Sequence, residues 1–96
     1  MKFHLSAKAK TDIADIWQYT NKAWGSKQAD NYLDTLYNRL IWLTRNTTIW
    51  RQRNDILEGL YSCREGRHII YFRNQENIIE IARILHDSMD APQNLS

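Results

Sequence analysis

Ninety-six residues, of which 43% are hydrophobic and 25% charged, provide for one domain and one core. A net charge of +2 is too small to mark a nucleic-acid binder by itself, and the lone Cys63 excludes an internal disulfide, so the fold must stand on packing in a reducing compartment. No stretch has the ~18 apolar residues of a membrane span or the look of a signal peptide, which leads to the expectation of a cytoplasmic protein with no membrane partner.

Lys2 to Leu5 alternates polar and apolar and forms a short strand candidate. Ser6 has the chemistry of a helix N-cap. From Ala7 to about Ala23, Ala9, Ile13, Ile16, Trp17 and Thr20 recur at helical spacing, and Gly25 is expected to close the helix in the left-handed conformation. Ser26 is read as a second N-cap, opening a helix from Lys27 to Thr44 with Ala29, Tyr32, Leu33, Leu36, Leu40 and Leu43 on one stripe. Two amphipathic helices with so short a break should form an antiparallel hairpin. Tyr37, Ile41 and Trp42 broaden the second stripe, either to pack on both neighbours or to leave an apolar groove for a partner.

Arg45 to Glu58 reads as irregular, either a surface loop pinned by Trp50 or a binding loop carrying its arginines. From Leu60 to His86 three β-prone segments are separated by turn signals at Glu65–Arg67 and Asn74–Asn77, predicting an antiparallel meander. Alternation puts His68, Ile70 and Phe72 on one face, and Ile69, Tyr71 and Arg73 on the other. In the last strand Ile79, Ile81, Arg83 and Leu85 share a face. Both faces are mixed, which leaves room for a bulge. After His86 the chain turns into a short tail. The whole is an α+β domain spanning 1–96: N-terminal strand, antiparallel helical hairpin, and three-stranded antiparallel meander in one small sheet.

No phosphate loop, paired-cysteine motif or nucleophile elbow is present, and His4, His68 and His86 lie too far apart in sequence to announce a metal site, so no cofactor is expected. The basic and proton-transferring residues of the meander, Arg64, Arg67, Arg73, Arg83 and His86 with Tyr61 or Tyr71, could clamp phosphates. The same arginines could equally serve as salt-bridge partners of Asp12, Asp15 or Glu80.

Several motifs in fixed order resemble the RelE/ParE superfamily of toxin–antitoxin toxins, and the ParE branch within it. Leu5, Ser6, Ala9, Asp12, Ile13 and Ile16 open the first helix; Tyr19, Thr20, Trp24, Gly25, Gln28, Ala29, Tyr32 and Leu36 span the hairpin. Gly66, Arg67, His68, Ile69, Ile70 and Tyr71 follow, then Ile81 to His86 with Met89 and Asp90. The loop after the second helix departs from the pattern, with Thr47 after Asn46 and Trp50-Arg51 where a glycine turn is usual. The resemblance implies a non-enzymatic toxin that binds DNA gyrase, stabilises its cleaved-DNA complex and is neutralised by a ParD-like antitoxin. Operator DNA would be contacted only indirectly through the antitoxin, and a homodimer is left open. Arg83, His86, Met89 and Asp90 are the candidates for gyrase contact. Leu36, Tyr37, Ile41, Trp42, Arg64 and Arg73 are those for the antitoxin. A ribosome-dependent mRNA endonuclease like the RelE branch is the alternative, and would rest on Arg64, Arg73, Arg83 and His86.

Overall fold

A computed structural model describes residues 1–95. Strand β1 (Lys2–Leu5) leads into helix α1 (Ala7–Trp24) and helix α2 (Ser26–Arg45). A 3₁₀ turn (Thr47–Ile49) and a two-residue strand β2 (Arg51–Gln52) follow, then the meander β3 (Tyr61–Glu65), β4 (His68–Gln75) and β5 (Ile78–His86), and a last short helix α3 (Ala91–Leu95). The sheet runs β1-β5-β4-β3-β2, with β1 parallel to β5 and the other neighbours antiparallel. The expected α+β architecture is therefore present. Three pieces of regular structure arise where irregular chain was expected: the 3₁₀ turn and β2 within the Arg45–Glu58 segment, and α3 in the tail.

The hairpin covers one face of the sheet. Ala9, Ile13 and Ile16 of α1 and Leu36, Leu40 and Leu43 of α2 meet Ile70, Phe72, Ile79, Ile81 and Ile84 in the main core. Leu36 is 1% exposed, so the stripe that sequence offered to an antitoxin places this residue in the core instead. The opposite face carries a smaller cluster of Leu60, Tyr71 and Leu85, roofed by Ile56, Leu57, Ala91 and Leu95. This second cluster explains the mixed strand faces, because both sides of the sheet are covered near β3, β4 and β5.

Strict alternation fails in β5. Tyr71 pairs with Arg83 and Phe72 with Ile81, so Ala82 is an extra residue in a β-bulge. The bulge switches parity: Ile79, Ile81 and Ile84 all reach the main core, while Leu85 joins the second cluster rather than sharing a face with Ile79 and Ile81. It lies where β1 ends. The Ser6 N–H donates to the Ile81 carbonyl at 3.0 Å, the Ser6 hydroxyl donates to the bulged Ala82 carbonyl at 2.8 Å, and the same oxygen caps α1 by accepting from the Ala9 N–H. One turn later Asp12 accepts the Ile84 N–H at 2.9 Å, a donor that faces the space β1 no longer fills. Asp12 also receives a two-pronged bond from Arg83, Nε at 2.8 Å and Nη2 at 2.9 Å, and Arg83 Nη1 holds the Asn94 carbonyl of α3.

The helix junction corrects the expected caps. Gly25 has φ 95° and ψ 165°, an extended conformation with positive φ rather than the left-handed helical one, and this region is open essentially to glycine alone. Its N–H closes α1 on the Asn21 carbonyl and its carbonyl accepts the first α2 bond from Ala29, so Gly25 itself is the N-cap and Ser26 is already helical. Replacing Asp12 by Ala should cost about 3 kcal/mol, because it strands a buried guanidinium and a strand N–H together. The check is a fall in urea midpoint at unchanged slope, with Asp12→Asn intermediate.

Candidate functional site

The end of the sheet that carries the β3–β4 turn and the exit of β5 gathers several polar and ionisable groups. The turn places Gly66 at φ 59°, and a Cβ built there would stand 3.0 Å from the Tyr32 hydroxyl of α2. Glycine is required twice over at this position, for the positive φ and for the approach of the phenol. That hydroxyl lies 2.6 Å from His68 Nδ1 and 3.2 Å from the Glu65 carbonyl, fastening α2 to the turn. The His68 and His86 rings meet edge to face with centroids 5.5 Å apart, and the two residues are direct partners across β4 and β5.

Around this pair the charges are matched. Arg64 Nη1 donates to Asp87 at 3.0 Å and to the Gly66 carbonyl at 3.2 Å. Arg39 Nε donates to Glu65 at 3.0 Å, and its guanidinium lies 4.6 Å over the Trp42 ring. Burial, reinforced by the nearby His86, pushes His68 below its ordinary value of 6.5. Burial also raises the Tyr32 phenol, although a hydrogen bond from the Arg67 backbone opposes it. The bond from Arg64 holds Asp87 below the usual carboxylate range. A neutral His68 accepting from a protonated Tyr32 is the arrangement these directions describe. At His86 the Ser88 N–H donates to Nδ1 at 3.1 Å, which in the neutral ring leaves the proton on Nε2.

The four residues of the ribonuclease alternative are divided. Arg64 and His86 converge on Asp87. Arg83 is spent on Asp12 and Asn94 at the edge of β5. Arg73 stands opposite Glu80 further along β4, with its Nε shielded and lacking a hydrogen-bond partner among the described residues. The set offers no single point at which one residue could take a proton while another stabilises charge. Among the described residues no three His, Cys, Asp or Glu side chains stand close enough to hold a metal, and no helix is long and apolar enough to cross a membrane.

The gyrase candidates also separate. His86 and Met89 lie open at the exit of β5, with Met89 48% exposed, whereas Asp90 is turned back to cap α3, where it accepts the Gln93 N–H. Arg83 belongs to the interior framework, held by the hydrogen bonds it donates to Asp12, which raise its guanidinium above the ordinary value. Of the antitoxin candidates, Tyr37 and Ile41 are exposed on the outer side of α2, Trp42 is half-buried against the core, and Arg64 lies at the sheet end. In the sequence Tyr32 and Arg39 read as ordinary helix positions and not as site residues. Only pairing with the turn 33 and 26 residues later reveals them.

The depressed His68 sets a pH response. The unfolded imidazole takes up its proton first as pH falls through 6.5, so the fold loses stability below that point until the folded ring also titrates. His68→Gln should flatten the pH dependence of the urea midpoint across the range in which imidazoles titrate (about pH 5–8).

Comparisons with known proteins agree with this arrangement of elements. Residues 3–91 match the family model described as ParE toxin of type II toxin-antitoxin system, parDE. The chain is 31% identical over 93 residues to Toxin ParE1 of Caulobacter vibrioides, covering 97% of this chain and 96% of that protein. It is 32% identical over 95 residues to Toxin ParE1 of Mycobacterium tuberculosis, covering 98% and 97%. A solved structure titled Chromosomal ParDE TA system from P. aeruginosa superposes with a TM-score of 0.77 over 90% of this chain and 95% of that chain, at 18% identity. The chain belongs to the family of ParE toxins of type II toxin–antitoxin systems.

Proposed function

We propose that the protein is a cytoplasmic toxin that binds DNA gyrase, stabilises the cleaved-DNA complex and is held in check by a ParD-like antitoxin. The observation that carries the proposal is the family match over residues 3–91. The geometry supports a binding mode over catalysis: the basic residues of the meander are split among separate ion pairs instead of converging. The exposed exit of β5, with His86 and Met89, is the surface offered to gyrase. It is braced by the Arg64–Asp87 bridge and by the Asp87 N–H on the Arg67 carbonyl at 2.8 Å, so it can be presented without a large ordering cost.

The purified protein should block gyrase supercoiling and accumulate linear DNA. His86→Ala combined with Met89→Ala should weaken both effects while leaving the melting temperature unchanged. Folded protein in excess that produces neither effect would sink the gyrase reading.

For the antitoxin, the outer side of α2 offers Tyr37 and Ile41 one turn apart, the spacing that a laid-down amphipathic segment would engage. Tyr37→Ala with Ile41→Ala is expected to lower antitoxin affinity at least about tenfold at constant stability. Leu36→Ala, by contrast, should appear as a stability loss of about 2–5 kcal/mol, since that side chain fills the core. Calorimetric titration and urea melts on the same samples separate the two.

A further inference from the structure

Strand β2 is two residues long and β3 is five, so β3 outruns its neighbour. Beside the uncovered part of β3 lies a recess of about 300 Å³, walled by the end of α2, the 3₁₀ turn and β2. Three of its lining residues are arginines, Arg51, Arg53 and Arg64, and none is acidic, although the whole chain carries a net charge of only +2. Its apolar lining includes Trp42, Leu43, Ile49, Trp50 and Ile69. Trp50 is held rigidly: its Nε1 donates to the Leu43 carbonyl at 3.0 Å, and its ring packs edge-on against Tyr61 and Phe72 with centroids 5.2 Å away in each case. Ile49 at the rim is 58% exposed.

The arginines keep donors to offer. Arg64 gives Nη1 to Asp87 and Gly66, which leaves its other guanidinium N–H groups, while Arg53 is engaged by Asp55 through Nε and Nη2 and by the Tyr71 side chain. No hydrogen bond or ion pair engages the Arg51 guanidinium among the described residues. Guanidinium forks match the several oxygens of a phosphate, and a fixed indole beside them gives the flat apolar surface on which a base lies. A volume near the lower end of small-ligand sites, about 300–1,000 Å³, suits one nucleotide and not a stack of them.

We infer that the recess at the β2–β3 edge binds a segment of single-stranded nucleic acid, its phosphate held by Arg51 and Arg64 with Arg53 beside them, and one base lying on Ile49 and Trp50. The recess shares Arg64 with the brace of the β5 exit, but its occupancy can be measured without gyrase and tested at Arg51, so this inference and the gyrase reading fail or survive separately.

The test is anisotropy of a fluorescein-labelled single-stranded oligothymidylate titrated with the full chain at low salt, with intrinsic tryptophan emission recorded alongside. Saturable binding with quenched tryptophan emission is expected. Arg51→Ala should weaken it about tenfold and lower the slope of log affinity on log salt by about 0.7, the contribution of one phosphate contact on a single strand. Lys10→Ala removes one exposed charge from α1 and should stay within about twofold of wild type. Arg51 has no ion pair to lose, and a circular dichroism melt verifies that each variant is folded. The inference is overturned if folded protein does not bind the oligonucleotide, if Lys10→Ala costs as much as Arg51→Ala, or if a polyglutamate peptide of equal charge displaces the strand equally well.

Discussion

The bonds from Arg83 and from the Ile84 N–H to Asp12 decide how the sheet and the helices fit together. Strand β1 covers β5 only as far as Ile81, and beyond that point β5 would be a bare edge with unpaired donors. Asp12, in the second turn of α1, supplies with a side chain what a longer β1 would have supplied with backbone. The bulge at Ala82 makes this feasible, because it tips Arg83 toward α1 while returning Ile84 to the core. Arg83 then reaches on to the Asn94 carbonyl, so one guanidinium ties the first helix, the last strand and the terminal helix to one another.

That arrangement reassigns the arginines. On sequence the meander looked like a platform of cationic side chains that could face a common substrate. In the folded chain Arg83 is a structural cation, Arg64 braces the exit of β5 through Asp87, and Arg73 sits across from Glu80. The residues that remain open to partners are of other kinds: Met89 and His86 at the β5 exit, Tyr37 and Ile41 on α2, and Arg51 at the β2–β3 edge. Separated faces of this kind suit the docking proposed above better than a convergent centre would.

How much of this was readable beforehand follows from the range of the interactions. The helix stripes, the Ser6 cap and the meander depend on neighbours a few residues away, and periodicity exposed them. The Asp12–Arg83 pair could only be named as one of several pairings, since a salt bridge spanning 71 residues leaves no local trace. The parity of β5 was illegible for a related reason: a bulge is a property of two strands in register, and Ala82 resembles any other small strand residue. Leu36 and Tyr37 are adjacent apolar positions, yet one is core and the other surface. A broad stripe cannot say where its edge lies until the neighbouring elements are placed. Gly25 was recognised as a break, but its extended conformation depends on how closely α1 and α2 fold back, a distance that sequence does not carry.

The parallel pairing of β1 with β5 has a consequence for how the chain folds. The first strand finds its partner in Ile78–Ile81, and Ser6 and Asp12 find theirs at Ala82 to Ile84, so the first strand of the sheet waits for the last. The hairpin can form early, since its contacts are local, but closure of the sheet is of high contact order and comes later. A partly folded chain therefore has its helices before its finished sheet. Whatever binds the completed sheet must await that closure, whereas a partner that grips the outer side of α2 has a surface to hold before it.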